Sequence, residues 1–444
     1  MKNRKWKLDM GTQSPEKKGR GFHRGGWLGK QRFGPALLLV LGLILGSTVT
    51  VQAQSLDTLI DRMLRDNPKL ESLRMDYESA SYKEGEFKDL PDPMISTGFF
   101  PLAVESGMGP QQLQIGISQT LPWNTVLQNR AQVAREEANL LKVKYHIAEE
   151  DLTLGVEQLY LQIWRVNEEI ELLKSRLPLI QAWNQVSLSK MSANQVSASD
   201  VLQIQVFINE VENAIQVLEN QKKSYRVRLH RILGTDQSSG DDPNDLDIEL
   251  NPDTTLQRSV ESVDNSTQLP DLDWFDQQMQ ISEAVLERNT SEGFPTIGLG
   301  LEYTIVGKRK DVDVPYNGRD MIMPMLSVKI PIYRKKYDAV RQREKALQAS
   351  IHLKKRDKEL EIQENIALAK VNIETEMENL RIYNEQIEIL ERTVNMLYAE
   401  YSSEGSKFIE LLQMQNQLID FALKKLDAKV KIHNSNLIIK RWQP

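Results

Sequence analysis

Two rhythms of apolar and polar positions alternate along the chain. In QLQIGISQTLPW (Gln112–Trp123), Leu113, Ile115, Ile117 and Leu121 are apolar, while Gln114, Gly116, Ser118 and Thr120 between them are small or polar. That is the period of a β-strand with two different faces. A second rhythm follows at once. Apolar residues fall at Leu152, Val156, Leu159, Ile163, Val166, Ile170, Leu173, Leu177 and Ile180, spaced alternately by four and three. This heptad seam predicts a long helix that supercoils to the left against its neighbours.

The plan occurs twice. Adding 210 to the seam gives Ile362, Ile366, Ala369, Ile373, Glu376, Leu380, Tyr383, Ile387 and Leu390, the same seam with one polar exception. The same offset carries DVLQIQ (Asp200–Gln205) onto ELLQMQ (Glu410–Gln415) and Trp123 onto Tyr333. One offset shared by a seam, a helix entry and a short tag reads as a tandem duplication. The strands repeat too. PTIGLGLEYT (Pro295–Thr304) puts Ile297, Leu299, Leu301 and Tyr303 on one face and Glu302 on the other. IMPMLSVKIPIY (Ile322–Tyr333) sorts Leu326, Val328 and Ile330 from Met323, Met325, Ser327 and Lys329. PMISTGFF (Pro93–Phe100) is the partner of the opening strand, with Pro101–Gln111 predicted as a loop and Val306–Asp320 as its counterpart.

The resulting organisation is a first repeat over 54–233 and a second over 271–444. The first holds a helix over Leu56–Phe87, a strand pair over 93–121, a long helix over 124–191 that Pro178 is expected to kink, and a helix over 197–233. The second holds a helix over Asp271–Glu292, a strand pair over 295–332, a long helix over 333–401 and a helix over 406–439. The intervening 234–270, rich in Asp, Asn, Ser, Thr and Pro, reads as an irregular linker whose acidic residues fit no EF-hand spacing. The long helices would each reach roughly 100 Å at 1.5 Å per residue. The fold class is mainly α with a small β part.

Residues 1–53 have another character. A basic lead-in precedes the apolar run Pro35–Gly46 and small residues near Ala53, the order of a secretory signal peptide cleaved near Ala53. An uncleaved anchor is the competing reading, although the run is shorter than the roughly 20 residues a membrane helix needs. These residues hold ten of the 56 Lys+Arg and two of the 62 Asp+Glu, so the remainder carries a net charge of −14. That balance argues against nucleic acid as a partner. The chain has no Cys, which excludes disulfides, thiolate metal sites and the acylated Cys of a lipoprotein.

Four strands with one apolar face have unpaired edges and cannot stand alone in water. A soluble sandwich would bury that face; a closed membrane barrel would turn it to lipid. Ten-residue strands in an exported chain favour the barrel. Four strands enclose no lumen, whereas three chains would supply twelve. On this reading Leu113, Ile115, Ile117, Ile297, Leu299, Leu301, Leu326, Val328 and Ile330 face lipid. Gln114, Ser118, Glu302 and Ser327 face the lumen, and Pro122 and Pro331 turn strand into helix.

The order of elements, with LPDPMISTG (Leu90–Gly98), ISQTLPW (Ile117–Trp123), SVKIPIY (Ser327–Tyr333), and the turns KMSANQVSASDVLQIQ (Lys190–Gln205) and YSSEGSKFIELLQMQ (Tyr401–Gln415), resembles the TolC-type outer-membrane efflux proteins. The resemblance covers the chain beyond the leader. It implies a homotrimer with a twelve-stranded barrel in the outer membrane and a twelve-helix periplasmic tunnel. It further implies a periplasmic adaptor and an inner-membrane pump as partners, with Asn194, Ser197, Gly405 and Ser406 at the adaptor-docking tips. Pro91–Pro93 leans towards the heavy-metal and cation branch. Met321, Met323 and Met325 alternate on the lumen side, which suits either soft metal ions or adaptable packing.

Enzymatic chemistry finds no support. His23, His146, His230, His352 and His433 are scattered without metal-ligand spacing, and no nucleophile or glycine-rich motif stands out, so neither metal nor cofactor is expected. A passive exit duct for small molecules or metal ions is the leading expectation. Type I protein secretion is the alternative within that class, and a periplasmic coiled-coil scaffold the alternative outside it.

Overall fold

The computed structural model describes residues 56–235, 269–311, 315–404 and 407–443. The predicted leader and most of the predicted linker lie outside them, as do Gly405 and Ser406. The elements are α1 (Leu56–Asp66), α2 (Pro68–Glu86), β1 (Met94–Ser106), β2 (Gly109–Leu121), α3 (Asn124–Ser192) and α4 (Ala198–Leu233) in the first repeat. The second has α5 (Pro270–Ser291), β3 (Thr296–Val306), β4 (Met321–Lys329), α6 (Lys335–Glu404) and α7 (Phe408–Trp442). No described helix is long and apolar enough to cross a membrane.

Several expectations need correcting. Residues 101–111 are not a loop: β1 and β2 run 13 residues each and turn at Gly107–Met108. Pro101 is accommodated because the ladder is interrupted between Phe99 and Val104, where its missing N–H breaks no regular pairing. The first helix is two. Asn67 ends α1, and its side chain accepts from Lys69 N (2.8 Å) and Leu70 N (3.2 Å) to start α2 at Pro68. Ile330 lies just beyond the end of β4. α3 continues through Pro178 without interruption.

The helices form two tiers on α3 and α6, which run through both. In the tier next to the sheet, α3 packs on α2 and α5, and α5 also on α6. There Val133 meets Ala284 and Val285. In the far tier, α3 packs on α4 and α7, and α7 on α6. The main core lies there: Ile180, Trp183, Ile204, Leu411 and Tyr401 from all four helices are fully or almost fully buried. Ile163, Ile180 and Leu173 of the predicted seam are among the buried residues.

The short helices meet end to end where the tiers join. At one junction α4 ends in a Schellman turn, with Thr235 N donating to His230 O and Gly234 at φ 73°. Gly234 has a second reason to lack a side chain: a Cβ would collide with the Asp66 carbonyl. Asn67 Nδ2 closes this junction by donating to Ile232 O at 2.6 Å. At the other, Arg441 near the end of α7 pairs with Asp271 at the start of α5 (2.6 Å) and with Asp151 of α3 (3.2 Å).

The candidate channel wall, junction and tips

The four strands make one antiparallel sheet in the order β1-β2-β3-β4. Register assigns each side chain to a face. Ile117 sits opposite Ile95 on β1 and Leu301 on β3, and Leu299 opposite Gln119 and Leu326. Leu113, Ile115, Ile117, Ile297, Leu299, Leu301, Leu326 and Val328 therefore share one face. Ile117 and Leu301 are each 48% exposed and Leu326 is 70% exposed. Among the described residues no other element packs over this face. Ile330, past the strand end, is exposed too.

The other face collects Gln114, Ser118, Glu302 and Ser327, with Gly98, Gly116, Gly298 and Gly300 among them. Gly116 and Thr304 are buried on this face, and Gln114, Ser118 and Glu302 are half-buried. A Cβ at Gly298 would collide with Ser327 Oγ. Small residues thus crowd together on this face and let the sheet coil towards it, while the bulky apolar residues fan out on the other. Met321, Met323 and Met325 lie here opposite Thr304, Glu302 and Gly300, with Met325 Cε packed over Gly300.

Among the described residues the two outer strands, β1 and β4, each pair on one side only. At one end of the sheet, Tyr303 and Asp320 hydrogen-bond, and Gly318 N donates to Met108 O, so the loop after β3 is held against the β1–β2 turn. At the opposite end the strands pass into helices. Pro122 separates β2 from α3, and Pro331 lies between β4 and α6. Trp123 Nε1 donates to Pro295 O at 2.5 Å and ties the two repeats at this level, while Gln119 Nε2 donates to Pro91 O at 2.6 Å within the first. Pro122 and Pro331 both line a cavity of about 500 Å³. Just beyond it, Arg135 and Lys88 hydrogen-bond Glu84 and hold its carboxyl down at about 2, well below the usual carboxylate range.

Past the far end of α3 the chain turns into α4. Asn194 has φ 59°, a left-handed conformation that Asn adopts more readily than most residues, and Gln195 N closes the turn onto Lys190 O at 2.9 Å. Ser197 Oγ then caps α4 by accepting from Asp200 N at 3.3 Å. Its counterpart by the 210-residue offset is Lys407, which also precedes a helix but is itself left-handed, φ 61°, and caps nothing with its side chain. Periodicity gave no sign of Lys407. Beneath the turns, Ser187 Oγ and Tyr401 Oη hydrogen-bond at 2.6 Å in full burial.

His230 is buried against Thr235, whose Oγ1 lies 2.8 Å from its Nδ1. Burial, reinforced by Lys429, lowers the pKa of His433. Among the described residues no group of three or more His, Asp or Glu is arranged to hold a metal ion.

No protein-family model matches the chain, and no curated protein sequence does. Solved structures do. CusC matches with a TM-score of 0.68 at 14% identity, covering 87% of this chain and 91% of that one. The outer membrane protein VceC from Vibrio cholerae matches at 0.67 and 10% identity, covering 87% and 96%. The chain has the fold of the TolC-type outer-membrane channels. The open state of the Neisseria gonorrhoeae MtrE outer membrane channel is similar again, with a TM-score of 0.66, 14% identity, and 87% and 88% of the two chains covered. These likenesses extend over sheet and helices together.

Proposed function

We propose that the protein is the outer-membrane exit duct of a tripartite efflux system. One observation carries this reading: among the described residues, a four-stranded sheet with an exposed apolar face and two unpaired edges is fused to helices of 69 and 70 residues. Lipid stabilises such a face, and closure removes such edges. In the sheet order, β4 runs antiparallel to β1, so β4 of one chain pairs with β1 of the next without reversing direction. Three chains close twelve strands, with the apolar residues towards lipid and Gln114, Ser118, Glu302 and Ser327 towards a water-filled lumen. The same three chains supply twelve helices at each level of a periplasmic tunnel.

The duct is passive and needs no cofactor. An inner-membrane pump provides the energy and a periplasmic adaptor couples the two, as the likeness to CusC, VceC and MtrE supports. Asn194 and Ser197 form a tip that meets the adaptor, because they follow the end of α3 farthest from the sheet; Gly405 and Ser406, outside the described residues, are assigned to the same surface by the repeat of the sequence. A coiled-coil scaffold would have no use for the exposed strands.

The test is fractionation followed by mass measurement in a mild detergent. The chain is expected in the outer-membrane fraction, released by detergent and not by salt, with a mass of three copies. Recovery as a monomer without detergent would overturn the reading.

A further inference from the structure

Only three residues of the four strands carry a charge, and one of them, Glu105, lies beside the β1–β2 turn. The other two are Glu302 and Lys329. Register puts both on the small, polar face. Glu302 stands opposite Gly116 of β2 and Met323 of β4, and Lys329 stands opposite Thr296 of β3. The β3–β4 ladder runs from Thr296 to Thr304 without a shift, so residues 296 and 302, six apart, share that face.

The two charges do not serve each other. Their levels differ by roughly 20 Å at 3.3 Å per residue, farther than the two side chains reach. Among the described residues neither makes an ion pair or a hydrogen bond. Gly116 and Met323 offer Glu302 no charge. The cavity that Lys329 lines with Thr120 and Thr296 also holds Arg130, Lys336 and Glu292. Arg130 and Glu292 pair at 3.0 Å, so the surplus at this level is positive. Lys329 is exposed and Glu302 half-buried, which leaves both open to what the water beside them carries.

We infer that Glu302 and Lys329 set the charge selectivity of the barrel lumen. The inference rests on the barrel reading, in which three chains repeat each charge around one level. Lys329 then makes a basic ring where helices pass into strands, and Glu302 an acidic ring roughly 20 Å farther along the strands. A ring of like charges in a pore favours the opposite sign. Anionic groups of a cargo leaving the tunnel are drawn at the first ring and cationic groups at the second. Each ring attracts by charge alone and has no pocket to retain what it attracts, so cargo moves on.

The test reads the potential at each level directly. The full-length chain with Gln114→Cys or Ser327→Cys, in outer membranes, is treated with a trimethylammonium or a sulfonate methanethiosulfonate. The ratio of the cationic to the anionic rate is divided by the same ratio for free cysteine. Gln114 pairs with Thr304 and lies diagonal to Glu302, about 7 Å away, and Ser327 is two residues from Lys329 on the same face. The corrected ratio is expected above one at position 114 and below one at 327. A unit charge about 7 Å away in water changes each rate roughly two- to three-fold at low salt, in opposite directions for the two reagents. Glu302→Gln should therefore lower the ratio at 114 roughly five-fold and leave that at 327 unchanged, while Glu302→Asp preserves both. Lys329→Gln should raise the ratio at 327 to a similar extent. With Glu302 and Lys329 both in place, about 1 M salt should bring the two ratios towards one, since the screening length there is about 3 Å. Equal ratios at the two positions, or ratios unmoved by the neutral substitutions, would overturn the inference and leave the barrel standing, because both thiols would still have reacted from water. Thiols that react with neither reagent would contradict the barrel and the inference with it.

Discussion

Arg441 Nη2 donates to Asp271 Oδ2 at 2.6 Å, joining the last turn of α7 to the first turn of α5. The Arg441 side chain is 3% exposed and that of Asp271 12%. Each charge also suits its own helix, a cation at a C-terminus and an anion at an N-terminus. With Asn67 and Ile232 at the other join, it makes two pairs of short helices behave as continuous members beside α3 and α6. Arg441→Ala would strand Asp271 and is expected to cost about 3–5 kcal/mol, as for other buried pairs broken from one side. The double variant Arg441→Met, Asp271→Leu should recover much of that loss. Denaturant titrations of the three proteins decide it, and equal losses in single and double variants would contradict the pairing.

Asn67 both caps α2 and holds α4. Asn67→Asp keeps the cap acceptor but loses the donor to Ile232 O, and Asn67→Ala loses both. The Ala variant should be destabilised by about 1–2 kcal/mol, combining a lost cap and a lost hydrogen bond. The Asp variant should lie between it and the parent. Melting curves that rank Asp below Ala would show that the cap is not the main contribution.

Burial raises the pKa of Glu169, which is 8% exposed, although Arg165 opposes the rise from 3.1 Å. A carboxyl with a folded-state pKa above its unfolded value favours folding most fully below the unfolded pKa. That contribution is lost as pH rises through the folded value. The melting temperature of the parent should therefore fall relative to Glu169→Gln as pH rises above the ordinary glutamate value of about 4.3. A difference independent of pH would contradict the assignment.

Asn194 supports the tip by its conformation. Asn194→Gly should leave both stability and transport near the parent's, since Gly suits positive φ. Asn194→Arg should abolish efflux in cells while the trimer still forms in the outer membrane. Normal transport by the Arg variant would remove the tips from the docking surface.

The seams, the two faces of each strand and the doubling of the plan were legible in the sequence because each is a local periodicity. The joins were not. Asn67 and Ile232 are 165 residues apart, and Arg441 and Asp271 170, so no window along the chain contains either pair. The turn at Gly107–Met108 was hidden by composition: Pro101, Gly109 and Pro110 read as loop residues, yet an irregular ladder absorbs the first and a strand end the others.

The central claim is that the sheet's apolar face meets lipid and its small, polar face meets water. The chain has no Cys, so each engineered thiol is the sole target of a water-soluble maleimide. Single Cys variants at Gln114, Ile115, Ile117, Ser118, Leu301 and Glu302, assayed in intact outer membranes, read the faces residue by residue. Labelling is expected at positions 114, 118 and 302 and not at 115, 117 and 301. Equal labelling at 117 and 118 would contradict the account.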